Sequence, residues 1–243
     1  ATIVAKPTTA EVTFKGNGSP GAFVTILRGG AIVGTTQILT NGSFSKKITS
    51  LPPGISVFGI YAEDTEGRKT RTIYYTINLA AGISTTLSGV FLSPTISLSS
   101  SQVYKGEKVL ISGSTYPLST VIIFLSPGNK LFTTKARKSG KWSYNLNTYG
   151  LGKGTYDLIA RALSPLGEYS DFSSELSFEI FPRRVIKCRG ADLNIDGKVD
   201  IIDFSILLYF WEERNPINNC ANINNSGVVD LIDLSIMMYY WTD

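Results

Sequence analysis

The chain has 243 residues, 43% hydrophobic and 17% charged, which is enough apolar material for two or three cores and too little charge for a disordered chain. It has no histidine and only two cysteines, Cys188 and Cys220. That excludes Ser-His-Asp and Cys-His catalysis, histidine-ligated zinc, a histidine pH switch and an all-cysteine zinc site.

The net charge of +4 is unevenly spread. Lys and Arg number 8 against 4 Asp and Glu in residues 1–90, 11 against 6 in 91–185, and 4 against 9 in 186–243. The first 185 residues are thus +9 and the remainder −5. The basic residues are scattered among Ser, Thr and Gly without a dense cluster, which argues against a nucleic-acid surface. No run approaches the roughly 18–20 apolar residues of a membrane helix. The chain begins ATIVA, without Met or a basic-then-apolar leader. It reads as a mature form after removal of a secretion signal, or as an arbitrary boundary.

Residues 2–79 align with 95–180. VTFKGNGSPGAFVTIL (12–27) matches VLISGSTYPLSTVIIFL (109–125), pairing Gly16 with Gly113, Pro20 with Pro117 and Val24 with Val121. Further on, Asn41-Gly-Ser-Phe44 faces Ser139-Gly-Lys-Trp142, and Thr65-Glu-Gly67 faces Pro165-Leu-Gly167. The offset drifts only from 97 to 100, as expected for two copies of one domain. Within each copy, alternation such as Val24-Thr25-Ile26 predicts half-buried strands, and Asn-Gly and Ser-Gly predict turns. The runs 55–62, 72–79, 156–162 and 173–181 read as later strands. About seven strands per copy without helical periodicity predict an immunoglobulin-like β-sandwich.

The G-x-x-x-P-G-A-x-V pattern from Gly16 through Pro20, Gly21 and Ala22 to Val24 resembles bacterial Ig-like surface modules. The second copy keeps Gly113, Pro117 and Val121 but has Leu118 and Ser119 in place of Gly-Ala. Residues 1–80 and 95–182 are therefore expected to be two sandwiches. Residues 81–94 read as a linker too apolar to be free, expected to lie on a domain surface or pair with a strand edge. Thr2–Ala5 reads as a short strand able to pair with a neighbour's sheet edge.

A second repeat follows at a constant spacing of 30: DLNIDGKVDIIDFSILLYFW (192–211) and NINNSGVVDLIDLSIMMYYW (222–241). In the 12-residue calcium loop of an EF-hand, alternate residues of a curling chain turn oxygens inward, and a Gly at position 6 allows a sharp turn. The first copy places Asp192, Asn194 and Asp196 at positions 1, 3 and 5. Gly197 follows at 6, Lys198 at 7 (through its backbone carbonyl), Asp200 at 9 and Asp203 at 12. The second has Asn222, Asn224, Ser226, Gly227, Val228, Asp230 and Asp233. Its positions 1, 3 and 5 are neutral, so it should bind Ca2+ more weakly or mimic a filled loop.

Paired D-x-N-x-D-G-x-V-x-x-x-D loops, each followed by one helix, resemble the dockerin family over residues 188–243. The resemblance implies a fold organised by two calcium ions and a cohesin domain as partner. Dockerins carry polar or basic recognition residues on their helices. Here Phe204–Trp211 and Leu234–Trp241 are apolar nearly all round, which calls for burial by the rest of the chain or by another molecule, or for mutual packing with some aromatics exposed. The partner-binding candidates are Phe204, Leu208, Phe210, Trp211, Met238, Tyr240 and Trp241. Cys188 and Cys220 are expected to form a disulfide tying the two loop entries, stabilising by about 3–4 kcal/mol.

The fold expectation is therefore mainly β: two tandem Ig-like sandwiches followed by a small α-helical, dockerin-like calcium module over 186–243. The expected function is a secreted, non-enzymatic structural subunit assembling with copies of itself into an extracellular fibre or surface layer. The alternative is a scaffold or adhesion protein docking onto a separate cohesin-like receptor. Glu63, Asp64 and Glu66 are carboxylates in a turn expected to be solvated, so they do not read as a glycosidase pair. Gly29-Gly30 reads as a hairpin turn. Carbohydrate binding through Trp142 is a weaker reading, because Phe44 occupies the same position in the other copy and suggests a core residue.

Overall fold

A computed structural model describes residues 8–182 and 188–242. Thr2–Ala5 and residues 186–187 of the C-terminal module lie outside the described residues.

Among the described residues the first sandwich has seven strands: β1 (Ala10–Asn17), β2 (Phe23–Arg28), β3 (Ala31–Gln37), β4 (Ser43–Leu51), β5 (Gly54–Glu63), β6 (Ile73–Leu79) and β7 (Ser84–Phe91). They form two sheets, β4-β1-β7 and β3-β2-β5-β6. Alternation builds this layering directly. In β1, Ala10, Val12 and Phe14 point inward while Glu11, Thr13 and Lys15 face outward. Phe14 meets Phe58 of the opposite sheet edge-to-face at 5.1 Å, and Val24, Ile26, Phe44 and Ile60 complete the centre of the core. The arrangement is an immunoglobulin-type sandwich.

The expected linker is not a free connection. Residues 84–91 form β7, which runs parallel to β1 from Glu11–Ser84 to Asn17–Phe91 and supplies a sheet edge of the first sandwich. The apolar Val90, Phe91 and Leu92 are buried there, which accounts for a composition that no solvated linker would carry. This pairing explains Gly16: a Cβ would strike the Val90 carbonyl oxygen.

The second sandwich contains β8 (Ser97–Leu98), β9 (Gln102–Tyr104), β10 (Lys108–Ser114), β11 (Thr120–Ser126), β12 (Lys130–Lys135), β13 (Lys141–Asn147), β14 (Gly154–Leu163) and β15 (Leu176–Phe181). Its sheets are β13-β10-β8 and β12-β11-β14-β15-β9. Strands β10 to β15 repeat β1 to β6 in order and pairing, as the alignment predicts. Beside β10 the edge is filled by β8, antiparallel, where β1 has the parallel β7. Gly113 repeats the role of Gly16, its missing side chain making room for the Thr95 carbonyl oxygen. Trp142 is buried, like Phe44.

By contacts the chain divides into two units. One holds both sandwiches. The other comprises residues 104–107, 148–153 and 181–243.

Within the first unit the two sandwiches meet through equivalent turns. Gly42 lies against Tyr116 and Pro117, and Gly140, its counterpart, lies against Ser19 and Pro20. Each of these contacts repeats the other with the copies exchanged, the self-complementary pattern of an isologous contact.

Asp64 breaks this symmetry. It belongs to the turn expected to be solvated, but it is 7% exposed. Its Oδ1 accepts the backbone N–H groups of Glu66 and Arg68 at 2.9 and 3.1 Å. Its Oδ2 accepts from Arg68 Nε at 2.8 Å and from the Thr95 and Ser114 hydroxyls, each at 2.7 Å. Burial raises the carboxyl pKa, but the hydrogen bonds from Thr95, Ser114 and Arg68 outweigh it and hold the value at about 2. Ser164 stands in the equivalent turn of the second sandwich. Its hydroxyl accepts from Leu166 and Glu168 N–H, the same two positions, without a charge.

Candidate metal centre

Among its described residues the C-terminal module contains two nine-residue α-helices, α1 (Ile201–Tyr209) and α2 (Leu231–Tyr239). Each starts at a reciprocal capping box. Asp200 caps α1 by accepting from Ile202 N–H, while the Asp203 side chain accepts from the Asp200 N–H; Asp230 and Asp233 do the same for α2. The spacing of calcium-loop positions 9 and 12 is therefore also the spacing of a helix start. The helices end two residues earlier than the apolar runs suggest, with Phe210 and Tyr240 as caps, so Trp211 and Trp241 follow the helices.

The two loops share one backbone. Ile195 and Asn225 at position 4 have φ of 63° and 58°, and Gly197 and Gly227 at position 6 have 94° and 96°. Asn tolerates this left-handed region, whereas a β-branched Ile is strained in it. In the first loop Asp192 accepts from the N–H groups of Asp196 and Gly197 at 3.2 and 3.0 Å. Asn194 Oδ1 accepts from Asp196 N–H at 3.0 Å. In the second loop Asn222 and Asn224 accept from Ser226 N–H at 3.0 and 2.8 Å. The backbone N–H of Lys198, then the Asn194 amide, lower the Asp196 pKa.

Asp203 and Asp233 are fully buried. Asp203 Oδ1 accepts from the N–H groups of Leu193 and Asn194 at 2.6 and 3.0 Å, and its Oδ2 from Asp200 N–H at 3.0 Å. Asp233 likewise accepts from Asn224 and Asp230 N–H at 3.0 and 2.9 Å. These carboxylates fasten each loop to its helix, a role that reading them only as ligands misses.

The repeats also hold each other. Thr242, after α2, donates its N–H to the Val199 carbonyl at 2.9 Å and accepts from Val199 N–H at 2.8 Å through its hydroxyl. Reciprocally, Glu212, after α1, donates its N–H to the Val229 carbonyl at 2.9 Å. Val199 and Val229 stand at position 8 of their loops. Cys188 and Cys220 form the expected disulfide, with Cα atoms 5.2 Å apart. Beneath the loops, Leu193, Val199, Leu207, Cys220, Val229 and Met237 make a small core.

The donor set of the first loop is all oxygen: the side chains of Asp192, Asn194, Asp196, Asp200 and Asp203, and the Lys198 carbonyl. That is the chemistry a hard cation such as calcium takes. In the second loop the corresponding oxygens are those of Asn222, Asn224, Ser226, Asp230 and Asp233, with the Val228 carbonyl, and only two carry charge. Among the described residues no three Asp, Glu, Cys or His side chains converge as a ready-made cage. The Asp203 and Asp233 carboxylates close on backbone N–H groups.

Of the partner-binding candidates, Leu208, Trp211, Met238, Tyr240 and Trp241 are exposed. Phe204 and Phe210 are not part of that face: both pack against the module's own core. Sequence reasoning overlooked the residues that complete it. Ile201 and Leu231 are 62% and 66% exposed, and Tyr209 and Tyr239 are 81% and 82% exposed; Ile202 and Ile232 are also exposed. They flank the inward-facing residues Asp203 and Leu207, Asp233 and Met237, and a helical wheel phased on the buried Asp would have found them. The exposed row of α1 reappears on α2 at the spacing of 30.

Among the described residues no helix is long and apolar enough to cross a membrane. No protein-family model matches the chain, and no curated protein matches it. Solved structures give distant likenesses. A biofilm-associated protein (BSP domain) is 20% identical over 75% of this chain, with a TM-score of 0.27, and the chain spans 30% of that protein. Fibronectin(III)-like modules of CbhA from Clostridium thermocellum are 17% identical over 74% of this chain and 94% of theirs, at 0.28. A structure from a 1.5-MDa bacterial ice-binding adhesin is 12% identical over 73% of this chain and 65% of its own, at 0.30.

Proposed function

We propose that this chain is a non-enzymatic extracellular structural subunit whose dockerin-like module docks onto protein, assembling with copies of itself into a fibre or surface layer. The observation that carries the reading is the duplicated exposed apolar row on α1 and α2, whose Ile, Leu, Met, Tyr and Trp side chains make an association surface. The Cys188–Cys220 disulfide supports an oxidising, extracellular setting.

Calcium, when bound, would neutralise the acidic first loop and stiffen it. The chain's own residues do the rest. Asp203 and Asp233 hold each loop to its helix, the disulfide ties the loop entries, and Val199 and Val229 couple the repeats. Metal at the first loop is thereby linked to the presentation of both apolar rows.

Light scattering on the full chain, with calcium and then with chelator, tests the proposal. Reversible, calcium-dependent growth in mass is expected. A monodisperse monomer in calcium at high concentration would sink self-assembly. A second reading, docking onto a separate cohesin-like receptor, is favoured by the near-equivalence of the two rows, which offers one partner two matching helices. Under it the chain stays monomeric and captures a single calcium-dependent partner.

A further inference from the structure

The outer face of the second sandwich carries a groove of about 430 Å³, in the size range of ligand pockets. One cross-strand row builds it. Leu131 of β12 stands opposite Phe124 of β11, and Phe124 stands opposite Ile159 of β14. Glu175 completes the row, one step beyond the Leu158–Leu176 pair. Leu131, Phe124 and Ile159 make an apolar floor, and Asp157 and Glu175 make a polar end. The Ser177 hydroxyl donates to Asp157 Oδ1 at 2.6 Å. The exposed Glu175 carboxylate has no hydrogen-bond or ion-pair partner among the described residues. Phe172 meets Phe124 edge-to-face at 5.3 Å beside the floor.

The first sandwich repeats this row as Ile32, Leu27, Gly59 and Tyr74. There the Tyr74 ring lies over Gly59, so close that a Cβ would come within 3.1 Å of its Cε1. The chain thus covers the first row with an aromatic ring of its own. In the second sandwich Ile159 takes the place of the glycine and Glu175 that of the tyrosine. The row is left without its ring, and the position of that ring now offers an acceptor for a phenol hydroxyl.

Rings suited to it stand on the C-terminal module. Tyr209 and Tyr239 are 81% and 82% exposed. Each is braced edge-on by the next aromatic ring, Phe210 at 4.9 Å and Tyr240 at 5.0 Å, which limits the side-chain freedom lost on binding. Charge favours the meeting. Residues 91–185 carry 11 Lys and Arg against 6 Asp and Glu, and residues 186–243 carry 4 against 9, so the two regions attract.

We propose that the groove over Phe124 and Ile159 receives Tyr209 or Tyr239 of a second copy of this chain, the ring against Phe124 and the hydroxyl donating to Glu175. The inference rests on the self-assembly proposed above and gives it an acceptor surface. A groove on one copy and a helix on the next make a heterologous contact, which propagates when it does not close into a ring.

The test is light scattering on full-length variants in calcium. Glu175→Tyr with Ile159→Gly copies the first sandwich and should cover the groove. Tyr209→Ala with Tyr239→Ala removes the exposed rings. Each variant alone should stay monomeric. An equal mixture should form a dimer that grows no further, because one variant keeps the tyrosines and the other keeps the groove. Leu131→Asp, at a position 60% exposed, should weaken assembly at least about tenfold. Groove-covered or Leu131→Asp chains that assemble like the unmutated protein overturn the groove and leave self-assembly standing. A mixture without dimer overturns it too when both variants keep the unmutated circular dichroism, and if the groove-covered variant misfolds, Leu131→Asp decides alone. An unmutated chain that stays monomeric in calcium overturns both proposals.

Discussion

Two pairs of copies within this chain diverged in the same manner. Asp192 of the first loop is Asn222 in the second, and both side-chain oxygens accept the N–H of the residue four positions on. Asp64 of the first sandwich is Ser164 in the second, and both accept the N–H groups two and four positions on. In each pair the oxygen that satisfies the backbone is retained and the charge is not. The backbone contact is what the local fold needs. The charge is what an additional task needs: in the loop it would draw a cation, and at the sandwich joint it binds Thr95 and Ser114 along with Arg68 of its own turn.

The comparison can be broken most severely at the shared oxygens. Asp203→Ala and Asp233→Ala each strand buried N–H groups and should cost about 3 kcal/mol by urea unfolding in chelator. Similar losses mean that the loops are closed alike. In calcium, Asp203→Ala should cost more than Asp233→Ala if the first loop holds the ion.

Cys188→Ser should cost about 3 kcal/mol in the same assay, because it releases both loop entries at once. A loss confined to one helix, read by hydrogen exchange, would show that the repeats fold separately.

At the sandwich joint, the depressed pKa of Asp64 has a definite sign. The unfolded carboxyl titrates near 3.8 and the folded one at about 2, so its contribution is present above pH 3.8 and is lost as pH falls through 2. The amount is about 2 kcal/mol. Asp64→Ser, which copies the second sandwich, should remove that pH dependence while keeping the turn.

Exchanging charge between the loops sharpens the contrast. Asp196→Ser should weaken calcium binding about tenfold and Ser226→Asp should create or strengthen a second site, as calorimetry would reveal. The smallest effect is expected at position 4. Ile195→Asn should raise stability by about 1 kcal/mol, relieving a left-handed β-branched residue as Asn225 already does in the other loop. No gain would mean that Ile195, 39% exposed, makes apolar contacts that offset the strain.

Much of this was legible in the residues alone. The offset of 97–100 predicted two sandwiches, the spacing of 30 predicted two alike loops, and the cysteine pair predicted the disulfide. Trp142 was correctly matched to Phe44 as a core position. The joint was not legible. Asp64 sits in a stretch of charged turn residues that reads as solvated, and its decisive partners are 31 and 50 residues away. Nor did the apolar segment 84–91 reveal that it would pair parallel to β1.

The division follows from range. Capping boxes, loop closures and turn bonds connect residues two to ten apart, so their chemistry is written into spacing and repeats with it. The sequence by itself determined the paired strands of each copy, the loop backbones and the helix starts. Only tertiary packing decided which turn buried its carboxylate, which strand edge β7 covered, and which lysine, Lys141, came to pair with Glu66. Those contacts arise where segments far apart in the chain desolvate one another, and local pattern carries no record of that.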